Sequence, residues 1–178
     1  MQRSLSNDDI HRMLRGRTNI LAYRDLADVD RLEDVLVNDS CVLLYETSDN
    51  VGHWCCVFIR RPTTVDKRGR IKKLQPELHW FDSYGMMPDS ELRYIDGHYR
   101  KKSDQKQTHL TRLILDWIRR NKGDFRYSQY RLQKLAPGVN TCGRFVVLRL
   151  TLKDLSEDEF ARVVPDSNTA VQMTGSLW

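Results

Sequence analysis

The sequence predicts an α+β fold, a small central mixed β-sheet flanked by helices. Three observations carry this. A chain of 178 residues with 40% hydrophobic residues can bury one core and is too short for two domains of ordinary size. Between residues 41 and 85 the apolar residues gather in short runs bounded by turn formers, as strands do. From Thr108 to Arg120 they recur instead at helical spacing. The chain is therefore read as a single domain over 1–178, with an N-terminal helical part (1–36), a core (37–164) and a C-terminal tail (165–178).

Taken in order, Ser6 or Asn7 caps a first helix in which Ile10, Met13 and Leu14 share a face, and Gly16 ends it. A second short helix is expected after Asp28, burying Val29, Leu32, Val35 and Leu36. "CVLLYE" (41–46) and "HWCCVFIRR" (53–61), separated by the turn-forming "TSDNVG", read as adjacent strands. "LHWFDSYG" (78–85) reads as a third, reached through a basic loop at 62–77. Leu110, Leu113, Ile114, Trp117 and Ile118 mark an amphipathic helix. "DFRYSQYRLQ" (124–133) suits a strand, and the apolar run after Cys142 suits a buried helix or a strand by pattern alone. Ser156 and Glu159 form a capping-box pattern before "FARVV", predicting a further helix. The tail from Pro165 has turn residues and few apolar ones.

Composition narrows the function classes. The mean hydropathy is −0.59, and the longest apolar runs, Cys41 to Tyr45 and Trp54 to Ile59, are far shorter than a bilayer requires. No membrane association is expected. The opening "MQRSLSNDDIHRMLRG" carries charges where a signal peptide carries its apolar stretch, which predicts an intracellular protein. The four cysteines (Cys41, Cys55, Cys56, Cys142) form no C-x-x-C pair and read as free thiols. Lys and Arg number 29 against 24 Asp and Glu, a net charge of +5 that favours contact with polyanions. The basic residues cluster at Lys67–Lys73, Arg100–Lys106 and Arg119–Lys134. Lys72, Lys73, Lys101 and Lys102 are the candidate DNA contacts; the alternative is a solvated surface.

Three stretches carry chemistry: "GHW" (52–54), "WFDSYG" (80–85) and "NTCGRF" (140–145). A thiol attacks a carbonyl as its thiolate, so a cysteine nucleophile needs an imidazole within hydrogen-bond reach and gains from a helix N-terminus beneath it. Cys142 is the candidate nucleophile and His53 the candidate base. If 142–152 is a helix, its unpaired N–H groups favour the anion. Asp82, near the end of a neighbouring strand, is the candidate that holds the imidazole in one tautomer. Trp54 and Trp80 are expected to wall the site, Gly143 to permit close backbone approach, and the Cys142 N–H to serve as an oxyanion donor.

Each piece has a duller alternative. Cys142 suits a small buried hydrophobe, as Cys41, Cys55 and Cys56 are read. His53 and Cys55 resemble half of a metal site, but no second pair follows at ligand spacing, so no metal is expected. A basic nucleic-acid-binding module with a structural cysteine is the alternative from another class. No helix-turn-helix, zinc-finger or aromatic RNA-binding signature accompanies it.

The order His53, Asp82, Cys142, with these neighbours, resembles the cysteine proteases related to the adenovirus maturation endopeptidase and the SUMO-specific proteases. Papain-like enzymes run in the opposite order. The resemblance covers about Leu36 to Leu152. It implies the adenain-like fold, with the nucleophile opening a buried helix. It also implies a glutamine that helps form the oxyanion hole. Gln133 is its counterpart here, although it lies further from the cysteine than is usual and Ala136 stands at the expected spacing. Gln129 or a backbone group is the alternative.

The small size resembles a viral maturation protease. The implied function is cysteine endopeptidase action on viral capsid or core precursors. The alternatives on the same triad are removal of ubiquitin or SUMO, and acyl transfer. By the same resemblance the partners are polypeptide substrates and DNA. No cofactor is required for the chemistry, with DNA or a viral peptide as candidate activators. The protein is expected to act as a monomer in the host cytoplasm or nucleus and in the virion.

Overall fold

In the computed structural model, which describes residues 3–49, 51–136 and 139–176, Ser6 caps helix α1 (Asn7–Met13) through a reciprocal box. Its Oγ accepts the Asp9 N–H, and Asp9 Oδ2 accepts the Ser6 N–H at 3.0 Å. Two otherwise unpaired donors are thereby satisfied, worth about 1 kcal/mol. Strand β1 (Asn19–Ala22) follows, unannounced by the sequence because its four residues are all half-buried and show no alternation. The helix expected after Asp28 is absent. Two 3-10 turns, Tyr23–Asp28 and Leu32–Val35, take its place and bury Leu26, Leu32 and Val35. Apolar residues three apart over so short a segment fit 3-10 geometry as well as α.

Strands β2 (Ser40–Ser48) and β3 (Val51–Arg60) form the expected pair, the Asn50 of their connection lying outside the described residues. The stretch at 62–77 is not wholly loop. It holds an exposed hairpin of β4 (Thr63–Val65) and β5 (Ile71–Lys73), and strands exposed on both faces leave no apolar period to read. Strand β6 (Glu77–Phe81) stops earlier than expected, because the chain turns at Asp82, whose C=O accepts the Gly85 N–H at 2.9 Å. Strand β7 (Asp124–Tyr127) covers only the first part of the run assigned to it.

The main sheet has the order β1-β2-β3-β6-β7. The inner pairs β2·β3 and β3·β6 are antiparallel and the outer pairs β1·β2 and β6·β7 parallel, so the sheet is mixed, as expected. Alternation along the strands divides the core in two. One face carries Val42, Leu44, Trp54, Cys56, Phe58 and Phe81, and the other Leu43, Tyr45, Cys55, Val57, Leu78 and Trp80.

Helix α3 (His109–Asn121) covers the second face with Leu110, Leu113, Ile114 and Trp117, the stripe its period predicts. The first face is covered by α4 (Cys142–Thr151) and α5 (Glu157–Val163), the latter opened by the predicted Ser156–Glu159 box. The tail forms α6 (Ser167–Gly175), a helix the sequence did not suggest. Asp166 caps it, and its small apolar face packs Ala170 into the core beside α4. Leu177 and Trp178 lie outside the described residues. No helix among the described residues is long and apolar enough to cross a membrane.

The start of β3, the end of β6 and the N-terminus of α4 converge at one end of the sheet. The exposed hairpin projects from the other.

Candidate active site

His53 stands at the beginning of β3, where the register with β2 is irregular between Glu46 and Ser48. The neighbouring strand passes so close to Gly52 that a Cβ built there would lie 1.8 Å from the Tyr45 carbonyl oxygen. A glycine is what lets β3 begin in register and bring His53 to the end of the sheet. His53 is 7% exposed.

Asp82 is the first residue beyond β6 and is fully buried. Its Oδ1 lies 2.7 Å from Nε2 of His53 and accepts the Tyr84 N–H at 2.8 Å. The carboxylate is thus aimed by a local turn, and it fixes His53 with Nε2 as the proton-bearing nitrogen toward it. Tyr84 also stacks on the imidazole, ring centroids 4.4 Å apart at 21°.

Cys142 is the first residue of α4 and is 5% exposed. Thr141, at the N-cap, makes no side-chain cap; its hydroxyl meets Ser167 at 2.9 Å instead. Burial by itself pushes the Cys142 thiol up. Hydrogen bonding and charge from His53, with the backbone N–H groups of Trp54 and Gly143, outweigh burial and hold the thiol below its ordinary value.

Burial likewise opposes the imidazolium of His53. Contact with Cys55 and hydrogen bonds to Asp82 and Cys142 overcome that opposition and hold His53 well above its ordinary value. Cys55 is itself pushed well up by burial and stays a neutral thiol, so Asp82 and Cys142 carry the charge that favours the imidazolium. The arrangement favours transfer of the Cys142 proton to His53 before any substrate arrives.

The other predicted residues are distributed as follows. Trp54 lies beside Cys142 and is pinned by its Nε1–H, which donates to the Leu5 carbonyl at 3.1 Å. Trp80 does not wall the site with it. Strand alternation puts Phe81, not Trp80, on the face of Trp54, and Trp80 packs edge-on against Tyr45 in the opposite core. Gly143 does allow close approach, but what approaches is the protein: a Cβ there would lie 3.1 Å from Leu5, 3.3 Å from Ile10 and 3.3 Å from Trp54.

Gln133 is buried next to the site. Its Oε1 accepts from Ser83 Oγ at 3.0 Å, and its Nε2 donates to Tyr84 Oη at 3.2 Å and to the Val139 carbonyl at 3.1 Å. Gln129 instead meets Gly85, a Cβ on which would lie 2.6 Å from the Gln129 carbonyl oxygen. Lys72 and Lys73 are on β5, at the far end of the sheet, whereas Lys101 and Lys102 end helix α2 (Gly97–Lys102), which packs by β2. Tyr99 of α2 donates to Asp49, just past β2, at 3.1 Å. The lysines therefore form two separate exposed patches.

Sequence reading missed three neighbours. Tyr84 stacks on the imidazole, and Cys55, read as a core thiol, touches it. Glu91 is buried beside Asp82. Only the period-2 relation of Cys55 to His53 was visible in the sequence. Among the described residues, His53, Cys55 and Asp82 are the group whose donor atoms cluster closely enough to face one ion, all within 4.8 Å. Two of those atoms already share the His53–Asp82 hydrogen bond.

Comparison with known proteins gives three relations. The uncharacterized protein V9 of Sputnik virophage is 37% identical over 172 residues, which cover 96% of this chain and 89% of V9. The crystal structure of the selenomethionine form of the ASFV pS273R protease superimposes with a TM-score of 0.51 at 16% identity, covering 98% of this chain and 68% of that one. This is a likeness of fold, that of a cysteine protease. A further crystal structure of the ASFV pS273R protease gives a TM-score of 0.43 at 17% identity, over 78% of this chain and 42% of that one. No family model matches the sequence.

Proposed function

The chain belongs to the family of Sputnik virophage protein V9, and on that premise we propose that it is a cysteine endopeptidase that cleaves viral precursor polypeptides, those of the capsid or core, during virion maturation. The observation that carries the reading is His53 held between the Asp82 carboxylate and the Cys142 thiol at a helix N-terminus. A likeness of fold to a viral cysteine protease supports it.

In this mechanism His53 takes the Cys142 proton and Asp82 orients the imidazolium. The thiolate attacks the scissile carbonyl carbon, forming the C–S bond and an oxyanion. The Cys142 backbone N–H stabilises that oxyanion, and the Gln133 amide joins it by exchanging one of its present acceptors. The C–N bond breaks as His53 protonates the leaving amine. Water, deprotonated by His53, then attacks the thioester, releasing the acid and returning the proton to the thiol.

The test is iodoacetamide labelling followed by mass spectrometry, with hydrolysis of viral precursor polypeptides as the second readout. The reading expects labelling confined to Cys142 at a pH well below that of a free thiol, lost in His53→Ala, and no hydrolysis by Cys142→Ala. Full hydrolysis by Cys142→Ala would end it. Hydrolysis of ubiquitin- or SUMO-based probes in place of precursors would replace the substrate class and keep the chemistry.

A further inference from the structure

Asp82 uses only one of its two oxygens in the site. Oδ1 carries both the His53 and the Tyr84 hydrogen bonds, while Oδ2 is buried without a partner. A buried carboxylate oxygen left unpaired is costly, and an unpaired oxygen on a group meant to hold a fixed orientation is doubly so. The carboxyl beside the Asp82 side chain is that of Glu91, 8% exposed, whose Oε1 is likewise buried and unpartnered. Two ionised carboxylates cannot satisfy one another, since both only accept. One shared proton satisfies both.

The fold presents Glu91 there deliberately. Glu91 lies in the 3-10 turn Ser90–Tyr94, entered through Asp89 in the left-handed region at φ 64°. Asp89 is anchored on three sides: Oδ1 accepts from Tyr23 Oη at 2.6 Å and Tyr45 Oη at 3.1 Å, and Oδ2 accepts the Thr111 N–H at 2.8 Å. A turn so tied to β2 and to α3 fixes where Glu91 points.

We propose that Glu91 is a positioning residue, its carboxyl group protonated and donating from Oε1 to Oδ2 of Asp82, so that Asp82 stays ionised and locked with Oδ1 toward His53. This rests on the reading of His53, Asp82 and Cys142 as a protease triad. Glu91 acts through Asp82 and touches no substrate. The order of charge below the imidazole is then neutral acid, carboxylate, imidazolium, thiolate.

The groups that face Glu91 agree with a neutral acid. Burial raises its carboxyl first, and Asp82 raises it further by charge and hydrogen bonding. His53 and Arg93 act in the opposite direction, and the outcome is a carboxyl pushed up to about 7. Cys55, also within its field, is neutral, and Tyr84 is held above its ordinary value and is neutral as well. As the pH rises through about 7, Glu91 loses its proton. Asp82 then loses its donor and faces a second carboxylate.

The experiment compares wild type, Glu91→Gln, Glu91→Leu and His53→Ala in the rate of Cys142 alkylation by iodoacetamide, from about pH 5 to about pH 9, in the full chain. Wild type is expected to show an inflection near 7. Glu91→Leu should be alkylated about tenfold more slowly below the inflection, the effect of one lost hydrogen bond to a charged group. Glu91→Gln, whose amide donates at every pH, should recover most of that rate and lack the inflection.

An inflection that persists in Glu91→Gln, or wild-type labelling in a folded Glu91→Leu, would overturn the proposal while leaving the triad standing. Should Glu91→Leu not fold, the inflection in Glu91→Gln decides alone. Slow labelling of wild-type Cys142 that His53→Ala does not change would instead remove the protease reading on which the proposal rests.

Discussion

Nε2 of His53 lies 2.7 Å from Oδ1 of Asp82, and both side chains are buried. In the proposed mechanism His53 presents its other nitrogen to Cys142, and an acceptor at Nε2 fixes that tautomer. In Asp82→Asn the amide oxygen can still accept, so orientation is partly kept while the charge that favours the imidazolium is lost. Turnover of a peptide substrate should fall about 100-fold, and Cys142→Ala should lose more. An Asp82→Asn enzyme as active as wild type would show that the carboxylate does no work in the site.

Cys142 is held below its ordinary value and His53 well above. Both shifts favour thiolate and imidazolium together. Alkylation of Cys142 should therefore continue as the pH falls below the range of a free thiol, about 8.5, and stop once the thiolate takes up a proton. In His53→Ala the thiolate loses its partner while burial remains, so the alkylation profile should move to higher pH. Cys41 and Cys56, pushed by burial to about 12 and upward, serve as unreactive internal controls.

A second buried histidine makes a structural prediction. His79 stacks on Phe58 and its Nδ1 lies 2.6 Å from Glu157 Oε1, tying β6 to α5. Burial raises the Glu157 carboxyl, but the His79 hydrogen bond and charge, with Arg149, outweigh it and bring the carboxyl from 4.5 down to about 2. A carboxyl lowered on folding contributes stability that is present above its unfolded value and lost as the pH falls through its folded one. Glu157→Gln should therefore be less stable than wild type at neutral pH. The difference should shrink between 4.5 and about 2. Urea unfolding across that range checks it; a pH-independent difference would mean the carboxylate charge is immaterial.

The lysine pairs separate two ways of touching DNA. Lys72 and Lys73 sit on the hairpin at the far end of the sheet, and Lys101 and Lys102 on α2, by β2. If both contact DNA, charge reversal of either pair should flatten the salt dependence of binding, independently of the other. If DNA also acts as an activator, the pair that binds it should show the effect in turnover. An unchanged salt slope in both variants assigns the four residues to the solvated surface.

How much was legible beforehand depended on whether the signal was local. The α3 stripe, a cap at Ser6 or Asn7, the capping box at Ser156 and the β2·β3 pair all follow from spacing along a few residues, and they formed with Ser6 as the cap. The hairpin at 63–73 and strand β1 were not legible, because exposed or half-buried strands leave no period in the apolar residues. Helix α6 formed on packing and a cap despite a sparse apolar face.

Within the site, the sequence by itself determined the chemically competent residues: a histidine after a glycine at a strand start, an aspartate at a strand end, and a cysteine before a glycine at the head of an apolar run. Residue type and local spacing are enough for that. Only the tertiary structure decided that Cys55 touches the imidazole, that Glu91 lies beside Asp82 and that Trp80 packs in the opposite core. Those facts depend on strand register and on a turn anchored by Tyr23, Tyr45 and Thr111, contacts between residues far apart in the chain. The partners that outweigh burial at Cys142 and His53, and the burial that raises Glu91, likewise exist only once those distant segments have packed.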